Sequence, residues 1–267
     1  MADSAVPLPF VDVRDPNVSA GDRLPVVLIH GWASASAYWE PLAGKLLDAG
    51  RPVWILDLPG YHPGEVLPPD FDWTLDSAAA SAAAVLNELG GTRVHLVGHS
   101  LGGSVALTLA AEFPHLVATV TLVGMVPAPP NEGFRSMLES QWGQGFIDAG
   151  ARAKCMEAWY GPLTQADSEL LSKGFDVPFS VLGPSGKAAM TGVEPSVPGR
   201  VLAPLLVIAG TGDRVRPIDQ MAAFASASPR RKLKAISGAG HSVHWEKPQE
   251  CAEALHDFWK TSWPPPA

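Results

Sequence analysis

The chain has few cysteines and no apolar run long enough to cross a membrane. Cys155 and Cys251 are its two cysteines among 267 residues, too few for a disulfide framework. We therefore expect free thiols in a reducing cytosol, with one bridge between the two as the alternative. No stretch approaches the roughly 20 apolar residues of a membrane span. Residues 1–10 lack the charged start and apolar run of an export signal, so we expect a cytoplasmic protein without a membrane partner.

Basic residues are also scarce. The chain has 19 Lys and Arg against 27 Asp and Glu, which gives a formal net charge of −8. This balance argues against a nucleic-acid partner, because such a partner would require a basic face. Hydrophobic residues make up 46% and charged residues 17%, the composition of a globular chain that is long enough to bury a sizeable core.

The chain alternates between short apolar runs and helical patterns. Buried strands are predicted at residues 26–30, 53–57, 94–97, 119–123 and 205–208, and a more polar edge strand at 232–236. Helices are predicted at residues 39–49, 74–89, 101–113, 218–227 and 249–261. This order is typical of an α/β fold with a mostly parallel, doubly wound sheet and crossover helices. Residues 8–14 are a further strand candidate without a visible hairpin partner.

Residues 126–200 interrupt this alternation. They contain no convincing strand pattern and are rich in proline, glycine and large aromatic residues. Because a long loop without secondary structure is rare in a compact domain, we expect a mainly helical cap, or lid, over a core of residues 1–125 and 201–267. The alternative is a long irregular connection with one or two core helices. Trp142 and Trp159 are candidates for an apolar substrate pocket, unless they only pack the cap onto the core.

Residues 98–102 read Gly-His-Ser-Leu-Gly, a G-x-S-x-G sequence between a predicted strand and a predicted helix. Such a sharp turn would lift Ser100 off the sheet, and the small residues Gly98 and Gly102 would permit it. The helix N-terminus that follows favours developing negative charge. The alternative is a helix-capping serine on a glycine-flanked turn. His99, the variable residue of the motif, is a candidate pocket residue.

A serine nucleophile needs a base, and the base needs an orienting carboxylate. Asp213 follows the strand at 205–208, at the sheet edge where sites of this architecture are built. The alternative for Asp213 is a turn aspartate that binds its own backbone. His241 follows the last predicted strand after a glycine-rich approach, and His244 is the rival base. An exposed loop histidine is the alternative for His241.

Taken together and in this order, the motifs resemble the α/β-hydrolase superfamily. The matching residues lie along most of the chain outside 125–200: His30-Gly31-Trp32, Trp39, Asp57-Leu58-Pro59-Gly60, the Gly98 to Gly103 stretch, Gly210-Thr211-Gly212-Asp213, and Gly240-His241 with Glu246 and Pro248. The sequence departs from the family pattern at residues 61–65, where the family has a short Gly-Ser run. The motifs are specific for the superfamily and not for a substrate.

The resemblance implies roles for the candidate residues. Ser100, Asp213 and His241 would form a catalytic triad, because the family order is serine, then acid, then histidine. His241 is preferred to His244 because its glycine-rich approach matches the family pattern. A serine at position 100 disfavours the dehalogenase-like and epoxide-hydrolase-like members, which have aspartate there.

The resemblance also implies an oxyanion hole from two backbone N–H groups, those of Trp32 and Leu101. The alternative is that His30 and Gly31 merely end a strand and that Trp32 is a core residue. His30 is the fourth candidate pocket residue, beside His99, Trp142 and Trp159.

We therefore expect a carboxylesterase-like serine hydrolase that cleaves a carboxylic ester, thioester or lactone of a small, partly apolar substrate. The alternatives are a lyase, C–C hydrolase or perhydrolase with the same triad, and a non-catalytic small-molecule binding protein of the same fold. We expect no metal and no cofactor, because neither an H-E-x-x-H motif nor a G-x-G-x-x-G fingerprint is present. The sequence indicates no oligomeric state.

Overall fold

The computed structural model describes residues 6–14 and 23–262, and a seven-stranded sheet forms its centre. The strands are β1 (Val11–Arg14), β2 (Val26–Ile29), β3 (Val53–Leu56), β4 (Val94–His99), β5 (Val117–Val123), β6 (Leu205–Gly210) and β7 (Arg231–Ile236). Their spatial order is β1-β3-β2-β4-β5-β6-β7. The strand β1 runs antiparallel to β3, and the other neighbours are parallel. The expected fold class is confirmed.

The strands follow the apolar runs because helices cover both faces of the sheet. Every residue of β2 to β6 is buried, so these strands are mostly apolar instead of alternating. In β7 buried residues are few, as expected of an edge strand. The first strand has no hairpin partner nearby because it pairs with β3, where Val11 lies opposite Leu56.

Eleven helices are present in the described part of the chain. They are α1 (Glu40–Asp48), α2 (Leu75–Glu88), α3 (Leu101–Glu112), α4 (Glu132–Trp142), α5 (Ala149–Trp159), α6 (Gln165–Ser172), α7 (Phe179–Thr191), α8 (Val197–Arg200), α9 (Ile218–Ser226), α10 (Val243–Glu246) and α11 (Pro248–Ser262). Short 3₁₀ helices occupy Ser36–Trp39, Pro114–Leu116 and Lys173–Asp176. The predicted core helices agree with α1, α2, α3, α9 and α11 to within a few residues.

Residues 124–204, which the structure describes without a gap, contain helices and no strand. Three helix starts there are capped by side chains that accept a hydrogen bond from a backbone N–H: Asn131 for α4, Asp148 for α5 and Thr164 for α6. Each cap satisfies an N–H group that the helix itself cannot pair, which stabilises a helix by about 1 kcal/mol. Local sequence thus explains why the region between β5 and β6 is helical.

Both cysteines are free and buried. Burial raises the pKa of the Cys155 and Cys251 thiols to about 12, so neither is a reactive thiolate at neutral pH. Among the described residues, no helix has the length and apolar character needed to cross a bilayer. The cytoplasmic location stays a prediction.

Candidate active site

Ser100 lies on a strained turn between β4 and α3. Its backbone has φ 51° and ψ −116°, a conformation that costs a residue with a side chain about 1–3 kcal/mol. The turn is held by the Ser100 N–H, which donates to the Val123 carbonyl at 3.1 Å. The chain can pass so closely because its neighbours are glycines. A Cβ on Gly98 would overlap the backbone of Gly102, and a Cβ on Gly102 would overlap the Ile29 carbonyl.

We expect Gly102→Ala to destabilise the fold by about 3 kcal/mol, because a backbone carbonyl cannot yield to the added methyl group as a flexible side chain would. Gly44→Ala is the matched control, since a Cβ at this position in α1 would meet nothing within 4 Å. The control should gain about 0.5–1 kcal/mol from its higher helix propensity. Urea unfolding of both variants measures the difference, and an equally stable Gly102→Ala would contradict the close approach.

Asp213 and His241 form a hydrogen-bonded pair beyond the ends of β6 and β7. The His241 Nδ1 lies 2.9 Å from Asp213 Oδ2, and the two side chains are 2% and 0% exposed. The other oxygen, Asp213 Oδ1, accepts the N–H groups of Val215 at 2.7 Å and Arg216 at 2.8 Å. With both oxygens accepting, the aspartate holds the imidazole with hydrogen on Nδ1 and leaves Nε2 as the basic nitrogen.

Ser100 and His241 line one cavity at the carboxyl edge of the sheet, together with Trp32 and Leu101. Among the described residues, neither the Trp32 N–H nor the Leu101 N–H donates a hydrogen bond to the protein. Two unpaired N–H groups beside a serine hydroxyl are the donors that a developing oxyanion requires. The structure thus brings the predicted triad residues and both predicted oxyanion donors to one place.

The four candidate pocket residues separate into two pairs. His99 and Trp159 line the cavity. His30 is fully buried outside its lining: its Nε2 accepts the Leu58 N–H at 2.9 Å, and its Nδ1 donates to the Gly31 carbonyl at 2.8 Å. It therefore joins the ends of β2 and β3. Trp142 faces a different surface groove and donates its indole N–H to the Gly183 carbonyl at 3.3 Å.

Tyr38 and His99 connect the two sides of the site through one chain of hydrogen bonds. The Tyr38 hydroxyl accepts the Gly31 N–H at 2.7 Å and donates to His99 Nδ1 at 3.1 Å. His99 Nε2 then donates to the His241 carbonyl at 3.2 Å. Burial, with smaller effects from His244 and His241, holds the pKa of His99 well below its ordinary value. A neutral His99 therefore holds the segment that carries His241 against the segment that carries Gly31.

His244, the rival base, lies fully buried against aromatic rings. Its ring centroid is 4.2 Å from that of Trp39 and 4.4 Å from that of Tyr38. Within the described chain, neither of its ring nitrogens has a hydrogen-bond partner. Burial holds its pKa well below the ordinary value. The geometry therefore favours His241, which has the carboxylate partner, as the base.

Stability should fall below about pH 6.5 because buried histidines stay neutral in the folded protein, while unfolded histidines take up protons near that pH. Burial lowers the pKa of His95 to about 3 and keeps those of His99 and His244 low as well. Each contributes a slope of up to about 1.4 kcal/mol per pH unit that is absent above pH 6.5. Denaturant unfolding at a series of pH values between about 7.5 and 5 measures how the free energy of unfolding changes with pH.

The matched variants for this experiment are His244→Phe and His115→Gln. His244→Phe should flatten the slope, because phenylalanine keeps the ring packing and His244 makes no hydrogen bond that would be lost. His115 is exposed, so His115→Gln should leave the slope unchanged. Stability that is level across this pH range would contradict the neutral, buried state of these histidines.

Comparison with known proteins identifies the family of this chain. A family model described as "Alpha/beta hydrolase family" matches residues 26–254. The chain belongs to the alpha/beta hydrolase family. It is an enzyme of that family, a hydrolase of the α/β fold, as the resemblance of its motifs implied.

Three relatives are similar over most of the chain. The dihydrolipoyllysine-residue acetyltransferase component of the acetoin cleaving system of Cupriavidus necator is 32% identical over 92% of this chain and 67% of its own. The pimeloyl-(acyl-carrier protein) methyl ester esterase of Methylococcus capsulatus is 30% identical over 89% and 95%. The 2-hydroxy-6-oxo-6-phenylhexa-2,4-dienoate hydrolase of Comamonas testosteroni is 26% identical over 90% and 88%. Since these names describe different reactions, the substrate must be inferred from the site.

The sequence analysis did not single out every residue of the site, and Tyr38 and Arg216 are examples. Tyr38 lies in the 3₁₀ helix Ser36–Trp39, outside any motif, and no sequence signal links it to His99. Arg216 lines the cavity although arginine is normally exposed, and its position three residues after Asp213 was the available signal. In the described residues, no group of three or more His, Cys, Asp or Glu side chains is arranged to hold a metal ion.

Proposed function

We propose that this hydrolase is a serine hydrolase that cleaves an ester-type bond of a small, partly apolar substrate through an acyl-enzyme. The bond is a carboxylic ester, a thioester or a lactone. The observation that carries the proposal is the Asp213–His241 pair, which opens onto the same cavity as the strained Ser100. The esterase relative supports a substrate of this class.

The arrangement supports the following reaction. His241 Nε2 takes the Ser100 hydroxyl proton while Asp213 stabilises the imidazolium, and Ser100 Oγ attacks the carbonyl carbon. The Trp32 and Leu101 N–H groups donate to the oxyanion. The tetrahedral intermediate collapses, the leaving group departs with the proton from His241, and the acyl group stays on Ser100. Water, deprotonated by His241, then attacks the acyl-enzyme, and its collapse releases the acid and restores the Ser100 hydroxyl.

We also propose that residues 126–200 act as a cap over this site. Their side chains contribute Phe134, Trp159, Tyr160 and Ala189 to the cavity, which gives it an apolar wall. The cavity offers about 30 Å³ to water-sized molecules, enough for a few waters at about 10–15 Å³ each. A substrate of several heavy atoms therefore enters when the cap moves away from the core, and the aromatic wall then packs against its apolar part.

A fluorophosphonate probe, which reacts with activated serines, tests the proposed nucleophile. The probe should label wild-type protein at Ser100, and it should not label Ser100→Ala. Ser104→Ala is the matched control, because Ser104 lines the same cavity one helical turn later and should not affect labelling. A wild type that is neither labelled nor active on short p-nitrophenyl esters would favour the binding-protein alternative. Turnover that survives Ser100→Ala would favour a lyase that uses His241 as an acid and base.

A further inference from the structure

Arg216 is a cation inside the candidate active site. It is 7% exposed and lines the same cavity as Ser100 and His241. Its backbone is held in place because the Arg216 N–H donates to Asp213 Oδ1 at 2.8 Å. The side chain is therefore attached directly to the turn that carries Asp213.

The guanidinium uses little of its hydrogen-bonding capacity on the protein. Its Nη1 donates to the Ala128 carbonyl, and this is the one side-chain hydrogen bond that Arg216 makes within the described residues. No carboxylate in the described chain lies within ion-pair distance of Arg216. A guanidinium has five N–H donors, so several remain. The atoms Nε and Nη2 are not among the buried atoms that lack a partner, so each keeps some exposed surface, and Arg216 is a lining residue of the cavity.

The charge of the cavity is opposite to that of the protein. The chain carries a formal net charge of −8, yet no Asp or Glu side chain lines the cavity, and Arg216 is its one lysine or arginine. Burial lowers the pKa of Arg216 to about 10, while the Asp213 charge opposes this effect. The guanidinium therefore remains protonated at neutral pH. A buried charge without an ion-pair partner is costly, which favours a role for the charge in binding.

We infer that Arg216 binds a carboxylate of the substrate, so that the substrate is a half-ester or half-thioester of a short dicarboxylic acid. This inference rests on the proposed serine hydrolase function, because it requires the scissile carbonyl at Ser100 and the free carboxylate at Arg216. The planar guanidinium fork matches a carboxylate with two parallel hydrogen bonds. Ser100 and Arg216 line the same cavity, so the acid has few carbons between its carboxyl groups.

Two methyl esters of one acid separate this inference from the proposed function. We expect wild-type protein to hydrolyse methyl hydrogen succinate with a kcat/KM about 10- to 100-fold above that for dimethyl succinate, the range for a hydrogen bond to a charged group. Arg216→Gln should abolish most of this ratio and Arg216→Lys should keep part of it. Arg214→Gln, at an exposed neighbouring arginine that pairs with Glu157, should leave the ratio unchanged.

Protection from fluorophosphonate labelling provides a second measurement if neither ester is turned over. Succinate should slow labelling of Ser100 in wild type but not in Arg216→Gln, and succinamide should protect neither protein. Equal protection by inorganic phosphate would overturn the assignment to a carboxylate. A ratio or protection that is indifferent to Arg216→Gln, in protein still labelled at Ser100, would overturn the role of Arg216. A wild type that is not labelled at all would instead refute the serine mechanism.

Discussion

Replacing Ser100 by alanine is expected to lower kcat/KM for a short p-nitrophenyl ester by about 10⁶-fold. The proposed acyl-enzyme cannot form without the Ser100 oxygen, whereas the proposed backbone donors of Trp32 and Leu101 remain to polarise the ester carbonyl. A residual rate about 10³-fold above that in water is therefore expected from these donors and from binding. The measurement is steady-state hydrolysis by wild type, Ser100→Ala and the control Ser104→Ala, with unfolding temperatures checked for each.

The double variant Ser100→Ala/His241→Ala sharpens this experiment. Residues that act as one unit are not additive, so the double variant should be no slower than Ser100→Ala alone. If His241→Ala lowers the remaining rate of Ser100→Ala much further, then His241 acts on the substrate without the serine. That outcome would contradict the acyl-enzyme mechanism.

Asp213→Asn should lower kcat by about 10⁴-fold near neutral pH, because it reverses the tautomer of His241. At the Oδ1 position, the backbone N–H groups of Val215 and Arg216 require an acceptor, so the asparagine oxygen takes this place. The asparagine NH₂ group must then face His241 Nδ1 and donate to it. The imidazole hydrogen of His241 then lies on Nε2. As a result, Nε2 can no longer accept the proton of Ser100.

The control for this tautomer effect is Asp219→Asn, an exposed aspartate at the start of α9. It makes the same change of charge on the same segment and should leave kcat within about twofold, as surface substitutions usually do. A kcat for Asp213→Asn within tenfold of wild type would show that the imidazole of His241 is oriented by another group. The labelling rate of Ser100 should fall in parallel with kcat, because both reactions need the same base.

Much of the architecture could be predicted because it depends on local patterns. Each buried strand from β2 to β6 is a short, mostly apolar run, and helices on both faces require such runs whatever the rest of the sequence is. The turn at Ser100 was equally visible, since Gly98 and Gly102 are the residues that its close contacts with the backbone demand. The pairing of β1 with β3 was not, because its partner lies about forty residues away and no turn residue marks the contact.

The difference between His241 and His244 shows the limit of local patterns at the site. The two histidines are three positions apart, and both follow the last strand. The chain turns into α10 after Ser242, so His244 points into the aromatic core while His241 faces Asp213. The glycine-rich approach favoured His241, but the burial of His244 could not be predicted from local sequence, because it depends on where Trp39 and Tyr38 pack.

The sequence by itself determined the strand and helix order, the turn at Ser100 and the residue types of the proposed triad, because each needs only neighbours within a few positions. Tertiary structure alone decided that Tyr38 joins Gly31 to His99 and that Arg216 lies inside the cavity instead of in solvent. Both outcomes depend on contacts between segments far apart in the chain. For Arg216 the deciding contact is with Ala128, which follows β5. The Ala128 carbonyl accepts a hydrogen bond from the guanidinium and keeps that charge beside the site.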